Sequence, residues 1–213
     1  PRVRWQECPK CQGLMTQEGM TNAAQLQTWF NHQIGDFLLK HDRRMIGWDE
    51  VLEGGLTPGE IVMSWRNMNG GIEAAKQGHD VVMTPASYCY FNYGQGKGPE
   101  EPEVIGSFVP LEKAYAFEPV PATIPEENRN RVIGIQGALW SEYLWSEKQF
   151  EYSGFPRLCA LAEVAWSSET GRNFNDFRSR LEMHLKRLDE LNVDYRHLDP
   201  LVKVAGSDSP TNH

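Results

Sequence analysis

Ile61-Val62-Met63-Ser64-Trp65 is a short apolar run ending in an indole, the pattern of a buried strand. Three more runs of this kind lie around it. Residues 44–48 end at Trp48, residues 80–84 are stopped by Pro85, and residues 132–140 end at Trp140. The segments between them read as helices or crossovers. Residues 71–77 form a short helix stopped by Gly78. Residues 22–41 are amphipathic, with Leu26, Trp29, Phe30, Ile34, Phe37 and Leu38 at helical spacing. Asn22 stands as N-cap there, with Gln25 three residues on. Residues 141–166 are mostly helical with a break at 154–156. Residues 174–191 carry a strong stripe of Phe174, Phe177, Leu181, Leu185, Leu188 and Leu191. Short buried strands joined by helices predict a parallel sheet and an α/β fold. The Gly- and Pro-rich stretch between Pro85 and Val132 is long enough to be functional or disordered.

Each strand ends in an aromatic residue or is soon followed by one: Trp48, Trp65, Tyr88 and Tyr90, and Trp140. In parallel α/β proteins the carboxyl ends of strands face the ligand. Aromatics converging there make an apolar cage, suited to the C–H faces of a sugar ring, with polar groups left for its hydroxyls. A single such tryptophan reads more simply as core; the repeat on every strand favours the cage. Asp49, Glu50, Asn92 and Glu142 stand beside these aromatics. Spacing alone leaves Glu142 open between a sugar-hydroxyl acceptor and an acid facing a helix dipole.

The chain has 213 residues, 40% of them hydrophobic, enough for one globular core. Its net charge is −8, with no basic cluster, which argues against nucleic acid as the main partner. No apolar run approaches the ~18 residues of a membrane span. The first residue is proline, so the N-terminus reads as cut from something longer. Cys8-Pro9-Lys10-Cys11 has metal-ligand or redox spacing, yet no second ligand pair follows. A loop crosslink and two free thiols stay open as the simpler readings. Cys159 is expected in the core, and Arg157 and Glu163 are expected to form a structural ion pair. The tail from 201 to 213 is expected to be loose. No metal or cofactor is expected.

Several motifs resemble glycoside hydrolase family 20 in order and spacing. They are Ile46-Gly47-Trp48-Asp49-Glu50, Tyr90-Phe91-Asn92, Leu139-Trp140-Ser141-Glu142, Phe155-Pro156-Arg157-Leu158 with Ala160-Leu161-Ala162-Glu163, and Trp166-Ser167. Each alone is weak; together they are specific. The resemblance implies a TIM (β/α)8 barrel, with residues 1–200 supplying its C-terminal half, strands five to eight. It implies an exo-acting β-N-acetylhexosaminidase that removes terminal β-linked GlcNAc or GalNAc with retention. In this family the substrate's own acetamido oxygen is the nucleophile, an exception to the two-carboxylate scheme. The catalytic Asp-Glu pair of the family closes strand four, so it is expected upstream of this chain, and residues 3–8 resemble the loop that follows it.

By the same resemblance Trp48, Trp65 and Trp140 box the N-acetyl group and sugar. Tyr90 donates to the acetamido oxygen, and Glu142 binds outer hydroxyls. Asn92 stands where the family commonly has Asp, which weakens but keeps hydroxyl recognition. A further wall residue is expected among Tyr93, Tyr115 and Phe117. Asp49-Glu50 imitates the catalytic pair but is expected to be an N-terminal acid pair of a helix or loop. Expected partners are N-acetylhexosamine-terminated glycans, and either the N-terminal half of the barrel or a second copy. A periplasmic or secreted location is expected. The competing reading is a catalytically inactive carbohydrate-binding or structural barrel fragment.

Overall fold

The computed structural model describes residues 2–200; the tail expected to be loose, 201–213, lies outside the described residues. Four strands form one parallel sheet in the order β1-β2-β3-β4: β1 Ile46–Trp48, β2 Ile61–Ser64, β3 Asp80–Met83 and β4 Val132–Ile135. The helices are α1 Arg2–Glu7, α2 Pro9–Gln17, α3 Ala23–Leu39, α4 Asn69–Lys76, α5 Ala86–Cys89, α6 Leu111–Tyr115, α7 Glu147–Gly154, α8 Arg157–Trp166 and α9 Phe174–Glu190. This helix-backed parallel sheet fits a TIM-barrel-type fold.

The strands sit where the apolar runs placed them, but the fourth is interrupted. β4 ends at Ile135, and pairing with the third strand's continuation resumes at Ala138. There the Phe91 N–H donates to the Ala138 carbonyl at 2.7 Å and the Ala138 N–H to the Cys89 carbonyl at 2.8 Å. Burial alternates along β2 and β3 with the pleat. Val62, Ser64, Val81 and Met83 are fully buried against the helices, while Ile61, Met63 and Val82 on the other face are only half-buried. The core lies on the helix side, where Ala74, Ala75, Phe91, Ala160, Leu161 and Phe177 pack onto these strands.

The helix signals act locally as chemistry dictates. The Asn22 side chain accepts from the N–H groups of Ala24 and Gln25 and starts α3. Gln25 reaches back one residue further than expected, accepting from the Thr21 N–H at 2.6 Å. Gly78, at φ +86°, ends the turn after α4. Along α9, Phe177, Leu181, Leu185 and Leu188 are buried, while Leu191 lies beyond the helix and is exposed.

Three expectations are corrected. Residues 3–8 are not a loop: most of them lie in α1, which meets α2 at a corner where the Gln12 amide donates to the carbonyls of Trp5 and Gln6. The amphipathic helix read over 22–41 is present as α3, with its stripe unevenly covered: Leu26 is buried, while Phe30, Ile34 and Phe37 stay exposed at 58%, 39% and 58%. Phe30 shares an apolar cleft with Trp5 of α1 and Leu14 of α2, and Phe37 lies against His41 at 4.6 Å. Arg157 and Glu163 do not pair with each other. Arg157 is fully buried, and its guanidinium donates to the carbonyls of Phe91, Tyr93, Val109 and Ser153. Glu163 instead meets Arg180 at 2.7 Å and accepts from the Tyr115 hydroxyl at 2.9 Å. Cys159 is half-buried against the core rather than within it.

Candidate active site

The carboxyl ends of the four strands bring Trp48, Trp65, Tyr90 and Trp140 into one ring of aromatic contacts. Successive ring centroids lie 6.5 Å apart from Trp48 to Trp65, 6.0 Å to Tyr90, 6.3 Å to Trp140, and 5.8 Å back to Trp48. All are within the range of favourable aromatic pairs. Trp65 and Tyr90 are nearly parallel, at 15°, while Trp48 and Trp65 meet edge to face at 82°. Core aromatics are normally covered. Trp140 keeps 41% of its surface exposed, which favours the cage over the core reading.

The rings enclose a pocket of about 350 Å³ lined also by Glu50, Asn92, Tyr93, Ile105 and Glu142. Ligand pockets run from roughly 300 to 1,000 Å³, so this one suits a single small ring rather than a chain of them. All six residues expected to bind substrate therefore share one pocket. Of the three candidates for a further wall, Tyr93 lines it, 5.7 Å from Tyr90. Tyr115 and Phe117 are buried elsewhere, against Phe177 and Tyr88 respectively.

The polar groups divide by what already occupies them. Asp49 is 1% exposed at the start of the 3-10 turn Asp49–Gly54. It accepts from the backbone N–H groups of Trp65 and Arg66 and holds the Arg66 guanidinium at 2.6 Å. Both its oxygens are thus engaged in fixing the loop after β2. Glu50 accepts from the Trp65 indole N–H, at 3.0 and 3.2 Å from its two oxygens, and so sets the orientation of that ring. No local pattern signals this bond, which joins residues 15 apart whose geometry depends on the pairing of β1 with β2. The same turn is seated by Gly54, where a Cβ would fall 1.4 Å from the Thr28 hydroxyl of α3.

Asn92 and Glu142 remain for a ligand. Asn92 is 6% exposed, and its side-chain oxygen has no partner among the described residues. A buried, unpaired amide oxygen is costly unless something completes it. Glu142 lies exposed in the 3-10 turn Ser141–Tyr143 at the pocket rim. Burial pushes the Tyr90 phenol above its ordinary value, against an opposing hydrogen bond from Trp140, so the hydroxyl stays a donor through neutral pH. Behind the cage, Arg157 clamps the loop carrying Tyr90, Asn92 and Tyr93 through the Phe91 and Tyr93 carbonyls. Its guanidinium also lies 4.8 Å over the Phe91 ring.

Residues 1–169 match the Glycosyl hydrolase family 20 catalytic domain. The chain is 42% identical over 210 residues to a beta-hexosaminidase of Porphyromonas gingivalis, covering 98% of this chain and 27% of that protein. It is 38% identical over 162 residues to a beta-hexosaminidase of Vibrio furnissii, covering 74% and 26% respectively. The exo beta-N-acetylglucosaminidase of Vibrio harveyi, solved in complex with N-acetylglucosamine, superposes with a TM-score of 0.84 at 40% identity. That match covers 91% of this chain and 31% of that one. The chain thus spans about a quarter of the length of these two curated relatives. The motifs, the strand-end cage and these matches agree, and the chain belongs to glycosyl hydrolase family 20.

Proposed function

We propose that this chain supplies strands five to eight of a (β/α)8 barrel and, with them, the sugar-binding half of an exo-acting β-N-acetylhexosaminidase. The observation that carries this reading is the ring formed by Trp48, Trp65, Tyr90 and Trp140, with Asn92 and Glu142 left unengaged inside and at its rim. A ring of π-faces binds the apolar faces of a sugar and its acetyl methyl, while the amide and carboxylate take hydroxyls.

In this reading the substrate's acetamido oxygen attacks the anomeric carbon as the glycosidic C–O bond breaks. The Tyr90 hydroxyl donates to that oxygen and holds it in line. The cage excludes water, which raises the advantage of the internal nucleophile. The leaving oxygen takes its proton from the family's glutamate, which, with its aspartate partner, lies upstream of this chain. Water then opens the cyclic oxazolinium intermediate with net retention. The half-buried sheet face and the partly exposed Phe30-Ile34-Phe37 stripe of α3 are the surfaces that the other barrel half, or a second copy, would cover. A periplasmic or secreted setting goes with glycan substrates.

The test is hydrolysis of an aryl N-acetyl-β-glucosaminide by two proteins: this chain alone, and a longer polypeptide that adds the remaining strands and the Asp-Glu pair. Only the longer one is expected to turn over, since general acid catalysis alone contributes about 10²–10⁴-fold. Turnover by the 213-residue chain that is lost on Glu142→Gln would overturn the assignment and make Glu142 the acid.

A further inference from the structure

Cys8 and Cys11 lie outside the aromatic pocket and have no place in the reaction above. Cys8 is the N-cap of α2, Pro9 its first residue, and Cys11 completes the first turn. Side chains three apart on a helix are neighbours, so the two sulfurs share one face. Both are free thiols and both are partly exposed, whereas Cys89 is fully buried. The corner that carries them is already fixed. The Cys8 N–H donates to the Arg4 carbonyl, the Gln12 N–H to the Cys8 carbonyl, and the Gln12 amide to Trp5 and Gln6.

The two thiols are not equivalent. Cys8 stands at the N-terminal end of α2, where Pro9 at the first position has no N–H and the helix end carries partial positive charge. The Cys11 N–H and side chain, with a smaller contribution from Lys10, hold the Cys8 thiol below its ordinary value. The bond to Cys8 holds the Cys11 thiol above its own. Among the described residues no group of three or more His, Cys, Asp or Glu could hold a metal ion, which leaves chemistry between the two sulfurs.

We propose that Cys8 and Cys11 form a thiol–disulfide exchange site, with Cys8 attacking and Cys11 resolving, whose oxidant is a small-molecule disulfide of the glutathione type. The Cys8 thiolate attacks one sulfur of the oxidant and releases one small thiolate. Cys11 gives up its proton to solvent and attacks the Cys8 sulfur, displacing the second small thiolate. The protein loses two electrons and two protons, and the oxidant is reduced to two thiols. The product is a bridge across the first turn of α2 that ties the cap to the helix.

The test is incubation of the full chain with oxidised glutathione, followed by intact mass and peptide mapping. The wild type is expected to lose the mass of two hydrogens, with the bridge mapped to Cys8–Cys11. Cys11→Ser should trap a stable glutathione adduct on Cys8. Cys8→Ser, which keeps a good capping side chain, should leave Cys11 modified at least about tenfold more slowly. Circular dichroism of each variant checks that the fold is retained. Equal modification rates in the two variants, or adducts on both cysteines of the wild type without an internal bridge, would overturn the proposal.

Discussion

The two ends of the one sheet are built from different chemistry. At the carboxyl ends of the strands, large aromatics stand partly exposed around a pocket. At the amino ends, Asp80 opens β3 and is gripped on both sides, by Arg44 just before β1 at 2.8 Å and by Arg131 just before β4 at 3.2 Å. One end keeps surface available that hydrophobicity would hide; the other joins three strands with charge. In parallel α/β folds this is the division between the ligand face and the stabilising face. Substitutions at the two ends should therefore separate cleanly into effects on catalysis and effects on stability.

The largest expected effect comes from a residue behind the cage that belongs to both classes. Arg157→Met leaves four backbone carbonyls without their donor in a site that admits little water. Removing one partner of such a buried charged network costs about 3–5 kcal/mol. Denaturant unfolding should show this loss, and the Tyr90 loop should become protease-sensitive with it. Burial brings the Arg157 pKa down to about 9, so the unfolded chain holds this proton more tightly and the group's contribution to stability rises as pH climbs past that value. The sign follows from linkage. The folded value lies below the unfolded one, so the folded form gives up its proton more readily and gains relative to a fully charged guanidinium only as pH rises. Below that range the buried charge is held by its four carbonyl acceptors and by the nearby Glu101 carboxylate. A stability change under about 1 kcal/mol on Arg157→Met would mean that water replaces the guanidinium there.

Tyr90→Phe comes next. In a protein with the complete barrel, kcat should fall by about 10²-fold with little change in KM or in stability, because a donor that matters chiefly in the transition state appears in kcat. A matching rise in KM would place the hydroxyl on the ground-state sugar instead.

Asp80→Asn is the smallest. The two ion pairs are partly exposed and screened, so their loss should cost about 1 kcal/mol and leave sugar binding untouched. Burial pushes the Asp80 carboxyl upward, but the hydrogen bonds from Arg44 and Arg131 outweigh it and hold the pKa below its ordinary value. A depressed acid stabilises the fold above its unfolded pKa of about 3.9 and loses that contribution as pH falls further. The gap between wild type and Asp80→Asn in unfolding midpoint should thus be full at neutral pH and close below about pH 4. An equal gap at every pH would mean that the aspartate acts through packing.

The contrast between the two ends was unevenly legible in the sequence. Strand-end tryptophans could be read because a short apolar run and its terminal indole are adjacent in the chain. The six cage residues could be named on that basis and by resemblance. The Glu50–Trp65 bond, the Asp80 clamp and the Arg157 anchor could not, because each joins residues from 15 to 66 positions apart. Arg157 and Glu163 are both charged and near each other in the chain, which suggested a pair; the helix carries them to different partners. The α1–α2 corner was missed because Val3-Arg4-Trp5-Gln6-Glu7 has no apolar period, and its helix is held by the Gln12 amide from the next element. The α3 stripe was legible as a helix, but what its apolar face meets was not. Its periodicity is real, but amphipathicity states only that a face seeks cover, not that this chain provides it.

The central claim is that the strand-end ring is an N-acetylhexosamine subsite formed by this chain's own residues. Saturation-transfer NMR on the chain with N-acetylglucosamine, with glucose as the comparison sugar, tests it most directly. Saturation should concentrate on the acetyl methyl of N-acetylglucosamine, be weak for glucose, and vanish on Trp48→Ala, while Asp80→Asn leaves it unchanged. No transfer to the acetyl methyl from a folded chain, or transfer that survives Trp48→Ala and Trp140→Ala alike, would contradict the account.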